Sequence, residues 1–153
     1  MQERVLLVDD EPEFLEIMAE RMRARDMDVS TSTSAAEALS MIASESFDAV
    51  IMDFMMPEMD GIEALKAIKD QRPDMQIILL TGHASVETSI EGMKLGAFDY
   101  LLKPMKFEEL LEKLASAFKK KAVQDKKIRD AKIQELVRYP GRVLDQVKHN
   151  DKS

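Results

Sequence analysis

The sequence contains no cysteine, and this absence excludes three kinds of chemistry. A chain without thiols has no disulfide framework, no zinc site built from thiolates and no cysteine nucleophile. The sequence also lacks any apolar run approaching the roughly 20 residues that cross a bilayer, and residues 1–4 do not begin a signal peptide. We therefore expect a cytoplasmic protein with no membrane anchor.

The composition indicates one folded body with a chemically different tail. At 153 residues and 45% hydrophobic content, the chain has the size of one domain with its own core. Residues 1–118 contain 11 Lys and Arg against 24 Asp and Glu, whereas residues 119–153 contain 11 against 5. The sequence thus predicts an acidic body that carries a basic tail.

Short apolar runs alternate with stretches of helical periodicity along the body. The runs that predict strands are Arg4–Val8, Met27–Thr31, Ala49–Met52, Gln76–Leu80 and Phe98–Leu102. A helix is predicted after each strand: Pro12 suits a first helical turn, and Ser34 with Glu37 forms a capping box. Ser85 is a further candidate helix cap. Five such alternations predict an α/β fold in which helices cover both faces of a parallel sheet.

Five polar residues stand at or just beyond the carboxyl ends of the predicted strands: Asp9, Asp10, Asp53, Thr81 and Lys103. Open parallel sheets build ligand sites at this edge, so these side chains are expected to converge on one crevice. Neighbouring carboxylates repel one another unless a cation shares the site, and hard oxygen ligands favour magnesium or calcium. The pattern therefore predicts a phosphoryl site, with a carboxylate as nucleophile and Lys103 and Thr81 binding phosphoryl oxygens.

Four motifs, in this order along the chain, resemble the receiver domain of bacterial response regulators. They are VDDEP after the first strand, MDFMMPEMDGIEAL around Asp53, LLTGHA after the fourth strand and YLLKP at the fifth. The resemblance covers about residues 1–120. It implies a flavodoxin-like, doubly wound sheet of five parallel strands in the order 2-1-3-4-5, with a helical C-terminal extension after it.

The resemblance also implies how a metal ion and a phosphoryl group would be held. Asp53 would be phosphorylated, and Mg2+ would be bound by Asp10, by Asp53 and by the backbone carbonyl of Met55. Asp9 would act on the metal through a water molecule. The peptide bond between Lys103 and Pro104 would be cis, which proline tolerates better than other residues do.

Further residues receive roles by the same resemblance. Thr81 and Lys103 would hold the phosphoryl group, and Tyr100 would change rotamer when Thr81 moves. Met55 and His83 would line the rim of the site, where the family tunes dephosphorylation. Met55 and His83 are not the polar pair that would position an attacking water, so we predict an aspartyl phosphate that is not unusually short-lived.

The implied function is a phosphorylation-controlled interaction module, not a turnover enzyme. A sensor histidine kinase or a histidine phosphotransfer protein would donate the phosphoryl group. The surface near the fourth helix, the fifth strand and the fifth helix would then change and be recognised by a downstream effector protein. A homodimer is one arrangement that the sequence leaves open.

Other interpretations of the same residues are weaker. Each acidic residue taken alone is an ordinary loop or helix-cap feature, and only the joint motif favours chemistry. A haloacid-dehalogenase-like phosphatase needs a D-x-D motif after the first strand, which neither Asp9-Asp10-Glu11 nor Asp53-Phe54-Met55 provides. A flavodoxin-like cofactor carrier would need a first loop that accepts phosphate, and this loop is acidic. The 12 Met residues are expected to fill the core and loops.

The basic tail is predicted to be a mainly helical extension over residues 121–153, without a recognisable effector domain. Tyr139-Pro140-Gly141 should break its helix. Direct nucleic-acid binding is not expected, because the lysine runs lack interleaved aromatics and are typical of a solvated helical face. The alternative is that the chain is a receiver fragment of a larger DNA-binding transcriptional activator.

Overall fold

A computed structural model of the chain describes residues 2–56, 59–82 and 86–138, and the predicted alternation of strands and helices is present in it. The strands are β1 Arg4–Val8, β2 Asp28–Ser32, β3 Ala49–Asp53, β4 Met55–Met56, β5 Met59–Asp60, β6 Ile77–Thr81 and β7 Asp99–Leu102. The helices are α1 Pro12–Arg23, α2 Ala35–Ser44, α3 Gly61–Gln71, α4 Val86–Lys94 and α5 Phe107–Arg138. The predicted cap at Ser85, the rim residue His83 and the predicted break at residues 139–141 lie outside the described residues.

Five strands form one parallel sheet in the order β2-β1-β3-β6-β7. This is the predicted order 2-1-3-4-5, because β4 and β5 pair only with each other in a short antiparallel ribbon. The strand neighbours of β3 are thus β1 on one side and β6 on the other. Residues at the carboxyl ends of these three strands are therefore adjacent, as the site requires.

The sheet separates two hydrophobic cores, one on each face. Side chains alternate along each strand, so Leu6 and Val8 enter one core while Val5 and Leu7 enter the other. α2 and α3 contribute Ile42 and Leu65 to the first core, whereas α1 and α5 contribute buried residues to the second. Burial on both faces explains why the central strands are continuous apolar runs.

Local sequence signals fix where two of the helices begin. The Ser34 side chain accepts a hydrogen bond from the Glu37 amide at 3.1 Å, which confirms the predicted cap of α2. Asp60 caps α3 by accepting from the Ile62 amide at 3.0 Å. The next residue, Gly61, lies close to Phe54, because a Cβ at position 61 would be 2.6 Å from the Phe54 carbonyl oxygen. The loop that leaves β3 is therefore tightly packed against the start of α3.

The chain divides into two units, Met1–Lys121 and Ala122–Ser153, and the boundary falls within α5. In the second unit the structure describes residues 122–138, which are helical and expose Val123, Ile133 and Val137. The assignment of residues 1–120 and 121–153 to separate domains remains a prediction. Among the described residues, no helix has the length and apolar composition needed to cross a membrane.

Candidate functional site

The predicted site residues meet at the carboxyl edge of the sheet. β1 is followed directly by Asp9 and Asp10, β3 ends on Asp53, and β6 ends on Thr81. The registers place Asp53 beside Leu80, and Thr81 beside Leu102, the residue before Lys103. Each side chain is thus positioned by a buried strand, which holds it more rigidly than a loop would.

Lys103 joins two of the carboxylates. Its Nζ lies 2.7 Å from Asp9 Oδ2 and 3.4 Å from Asp53 Oδ2. Asp9 is fully buried and Asp53 is 6% exposed, so both negative charges lie out of bulk water. The ammonium group is therefore the compensating cation for both carboxylates. The Lys103–Pro104 bond is cis, as the resemblance implies.

Burial and neighbouring charges have opposite effects on the pKa values of Asp9 and Lys103. Burial raises the pKa of Asp9 above its ordinary value of 3.8, and the hydrogen bonds from Lys103 and from the Glu11 amide only partly offset that effect. Burial also disfavours the charged form of Lys103. The carboxylates of Asp9 and Asp53 outweigh that penalty, so the pKa of Lys103 is raised. The ammonium stays charged at neutral pH, while the buried Asp9 carboxylate is destabilised.

The three acidic residues are close enough to share a metal ion. Asp9, Asp10 and Asp53 each offer a carboxylate oxygen, and these oxygens lie within 4.8 Å of one another. Asp10 is exposed while the other two are buried, so the group opens to solvent on one side. A donor set made only of carboxylate oxygens suits a hard cation such as Mg2+ or Ca2+. One ammonium cannot neutralise three carboxylates, and a dication would supply the missing charge.

Thr81 contributes an unsatisfied hydroxyl. Within residues 2–56, 59–82 and 86–138, its Oγ1 is the buried side-chain polar atom that has no hydrogen-bond partner. Thr81 is fully buried. A buried hydroxyl without a partner costs free energy, so such a group marks a site where a ligand is expected to supply the bond.

The rim residue Met55 begins the β4–β5 ribbon. Its amide donates to Asp53 Oδ1 at 3.0 Å, while its side chain is 66% exposed. The Met55 amide thus orients the Asp53 carboxylate, while the flexible Met55 side chain is exposed to solvent. The predicted metal-binding role of the Met55 carbonyl remains a prediction.

Tyr100 lies in the middle of β7, one strand away from the acidic cluster. It is half-buried, packs against the first core and pairs with Leu79. It stands two residues before Leu102, the neighbour of Thr81, so both are on the same face of β7. This placement is compatible with a response to Thr81, and the switch role remains a prediction.

Sequence reasoning missed one residue of the site, Phe14. Its helical spacing predicts a place on the buried face of α1, and it does pack against the second core. The ring also lies under Lys103, with Nζ 4.6 Å from the ring centroid. The sequence feature that could have identified Phe14 is its position as an aromatic residue in the first turn of the helix that follows Asp9 and Asp10.

The sequence is similar to a known protein family and to proteins of that family. Residues 5–115 match the family model described as the response regulator receiver domain. The transcriptional regulatory protein ZraR of Salmonella typhimurium is 40% identical over 113 residues, which are 74% of this chain and 26% of that protein. The response regulator MprA of Mycobacterium ulcerans is 34% identical over 131 residues, 86% of this chain and 56% of that protein. The chain therefore spans about a quarter to a half of these relatives.

Solved structures resemble the fold over most of the chain. A response regulator receiver domain protein from Clostridium thermocellum superposes with a TM-score of 0.77 at 33% identity, covering 80% of this chain and 98% of that one. The chemotaxis response regulator CheY4 of Vibrio cholerae gives a TM-score of 0.71 at 32% identity, covering 76% and 99%. The resemblance thus covers nearly the whole of these two solved chains.

Proposed function

The chain belongs to the response regulator receiver domain family, and we propose that it accepts a phosphoryl group on Asp53 with the help of a bound Mg2+ ion. The donor is a phosphohistidine on a sensor kinase or on a histidine phosphotransfer protein. Phosphorylation changes the surface around α4, β7 and α5, and a downstream effector protein recognises the change. The chain acts as a phosphoacceptor with slow self-dephosphorylation, not as a turnover enzyme.

The reaction is an exchange of one phosphorus bond for another. A carboxylate oxygen of Asp53 forms a bond to phosphorus, while the bond between phosphorus and the donor imidazole nitrogen breaks. The electron pair of the broken bond goes to the nitrogen, which leaves as part of a histidine. A small donor such as acetyl phosphate reacts in the same way, with acetate as the leaving group.

The residues around Asp53 stabilise this exchange. When bound among Asp9, Asp10 and Asp53, Mg2+ supplies positive charge beside the phosphoryl oxygens. Lys103, whose Nζ is 3.4 Å from Asp53 Oδ2, supplies a second positive charge, and the Thr81 hydroxyl is available to donate a hydrogen bond. The Met55 amide holds Asp53 in its orientation through Oδ1.

The observation that carries the proposal is the charge imbalance at this edge. Three carboxylates lie together with one ammonium that pairs with two of them, and a buried hydroxyl at the same edge has no hydrogen-bond partner among the described residues. A dication and a phosphoryl group would satisfy both deficits together. A purely structural ion pair would need neither.

Incubation with radiolabelled acetyl phosphate, with and without Mg2+, tests the proposal. We expect wild type to incorporate label only with Mg2+, and Asp53→Asn to incorporate none. Asp28→Asn is the matched control, because that carboxylate lies at the opposite end of the sheet in an ion pair with Arg4. Equal labelling of wild type and Asp53→Asn would contradict the proposal.

The lifetime of the aspartyl phosphate tests the prediction made for the rim. The exposed apolar side chain of Met55 has no group that could orient a hydrolytic water. We therefore expect the labelled protein to keep its phosphoryl group well beyond seconds in Mg2+ buffer without a phosphatase. Met55→Asn should shorten that lifetime, and decay of wild type within seconds would oppose the prediction.

A second candidate function is that of the receiver part of a larger transcriptional regulator. It is favoured by the coverage, since the matching residues make up 26% of ZraR. An antibody raised against the chain would measure the mass of the protein in its source cells. A band well above 17.4 kDa would support this candidate, and a band at that mass would oppose it.

A further inference from the structure

Lys103 has a third neighbour besides the two carboxylates. Its Nζ stands 4.6 Å from the centroid of the Phe14 ring, which is within the range of a cation–π interaction. The Lys103 side chain is 24% exposed, and Phe14 is half-buried against the second core. Limited exposure strengthens such a contact, because water competes less for the ammonium.

The ring differs from the other two partners in one respect. Asp9 and Asp53 both belong to the acidic cluster that would bind Mg2+, so a dication there competes with Lys103 for their oxygens. Phe14 has no oxygen and takes no part in that competition. The ring can therefore keep its hold on the ammonium when the charge of the carboxylates is shared with a metal.

The fold fixes the ring in this place. Phe14 lies in the first turns of α1, whose start is tied to the site because Asp9 Oδ1 accepts a hydrogen bond from the Glu11 amide at 2.9 Å. Leu15 and Met18 hold the same helix against the second core. Phe14 is thus positioned by packing and presents its face to Lys103.

We propose that Phe14 is a positioning residue for phosphoryl transfer, in which its ring holds the Lys103 ammonium toward Asp53 once the carboxylates are engaged by a cation. This inference rests on the proposed function of Asp53. The ring does not touch the reacting atoms. Its effect is to keep the lysine charge where the phosphoryl oxygens arrive, without a conformational search at each transfer.

A fluorination series at position 14 separates this electrostatic role from packing. Fluorine withdraws charge from the ring face while nearly preserving its shape, so we would replace Phe14 by trifluorophenylalanine, and separately by Tyr and by Leu. At saturating Mg2+, we expect the rate of labelling by acetyl phosphate to fall by about three- to tenfold for trifluorophenylalanine and for Leu. Phe14→Tyr, which keeps an electron-rich ring, should retain the wild-type rate.

Phe98 provides the matched control. Its ring makes a similar contact with Lys120, whose Nζ is 5.6 Å from the ring centroid. Phe98 precedes β7 and donates its amide to Ile77 at the start of β6, so it lies at the amino edge, away from the acidic cluster. Trifluorophenylalanine at position 98 should leave the labelling rate unchanged. Urea unfolding of each variant checks that the chain still folds.

A second readout needs neither metal nor phosphoryl donor. Protons above an aromatic face resonate upfield, so the ε-methylene protons of Lys103 should be shifted upfield in the metal-free wild type and in Phe14→Tyr. Phe14→Leu should abolish the shift. An unshifted wild-type signal, or equal labelling rates across the fluorinated, Leu and wild-type proteins, would overturn the inference. Failure of wild type to label at all would instead overturn the proposed function.

Discussion

The two ends of the parallel sheet differ in how their charges are compensated. At the amino edge, where the strands begin, Arg4 donates to Glu45 at 2.9 Å and pairs with Asp28 at 3.4 Å. Lys121 pairs there with Asp74 at 3.2 Å. At the carboxyl edge, where the strands end, three carboxylates lie together, and the ammonium of Lys103 pairs with two of them, Asp9 and Asp53. The paired carboxylates of the amino edge are partly exposed to solvent, whereas at the carboxyl edge Asp9 and Asp53 are buried with one ammonium between them.

Side-chain hydrogen bonds show a further difference between the two edges. At the amino edge Lys69 donates to the Met75 carbonyl at 2.7 Å, although burial and the nearby charge of Lys120 lower its pKa. At the carboxyl edge the Thr81 hydroxyl has no partner in the part of the chain that the structure describes. Lys69 at the amino edge thus has a hydrogen-bond acceptor, whereas the Thr81 hydroxyl at the carboxyl edge lacks a partner among the described residues. An unsatisfied buried group of this kind is typical of a functional site.

The largest difference between the two edges is expected when the cation at each edge is removed. Lys103→Met should lower the rate of labelling by acetyl phosphate by about 100- to 1000-fold, because the transferring group loses a preorganised positive charge. Lys121→Met at the amino edge should leave that rate within about twofold, since a distant charge is screened by solvent and salt. Equal losses in the two variants would mean that Lys103 acts only through the stability of the fold.

Mg2+ should stabilise the protein through the carboxyl edge alone. A ligand that binds only the folded state raises the free energy of unfolding by about 2.7 kcal/mol at a hundred times its Kd. We expect Asp10→Asn to remove most of this gain, and Asp28→Asn at the amino edge to keep it. Urea unfolding with Mg2+ and with EDTA measures both. A gain that survives in Asp10→Asn would place the ion elsewhere.

The pH dependence of stability should reveal the strain at Asp9. Its pKa is raised in the folded chain, chiefly by burial, so its contribution is fully present below the unfolded pKa of 3.8 and is lost as pH rises through the folded pKa. Without Mg2+, Asp9→Asn should therefore gain stability relative to wild type as pH rises from the unfolded pKa of 3.8 through the raised folded pKa. The gain should be smaller than that from Mg2+, because one carboxyl is involved. A constant difference across that range would contradict this expectation.

Thr81 allows a smaller test of the unsatisfied edge. Thr81→Val keeps the shape of the side chain and removes the hydroxyl, so we expect the metal-free protein to become more stable by about 1 kcal/mol. Thr81→Ala removes a methyl group as well and should instead be destabilised by the cavity that it leaves. A loss of stability in Thr81→Val would indicate that the hydroxyl is bonded in solution.

The sequence was sufficient for the fold because its strands are buried on both faces and bounded by polar residues. Ala49–Asp53 and Ile77–Thr81 were each predicted to within one residue. The motifs also located the five polar residues that meet at one edge. The resemblance added the strand order, which local pattern alone does not determine.

Two features of the site were not predictable from local pattern. Asp9 and Asp10 are adjacent residues of the same type, yet one is fully buried and the other is exposed, although both contribute a carboxylate oxygen to the acidic cluster. Both follow the end of β1, where the two-residue alternation of a strand no longer predicts which side chain is buried. Phe14 and Lys103 are 89 positions apart, and their contact arises only when the fold brings the start of α1 and the residue after β7 together at the carboxyl edge.

The smallest effect is expected for the ion pair between Lys121 and Asp74 at the amino edge. Lys121 and Asp74 are 15% and 35% exposed, and a double-mutant cycle with Lys121→Met and Asp74→Asn should give a coupling energy of about 0.2 to 1 kcal/mol. That energy should be the same with Mg2+ and with EDTA, because the pair lies at the end of the sheet away from the acidic cluster. A coupling that changes with Mg2+ would mean that occupation of the carboxyl edge is transmitted along the strands to α5.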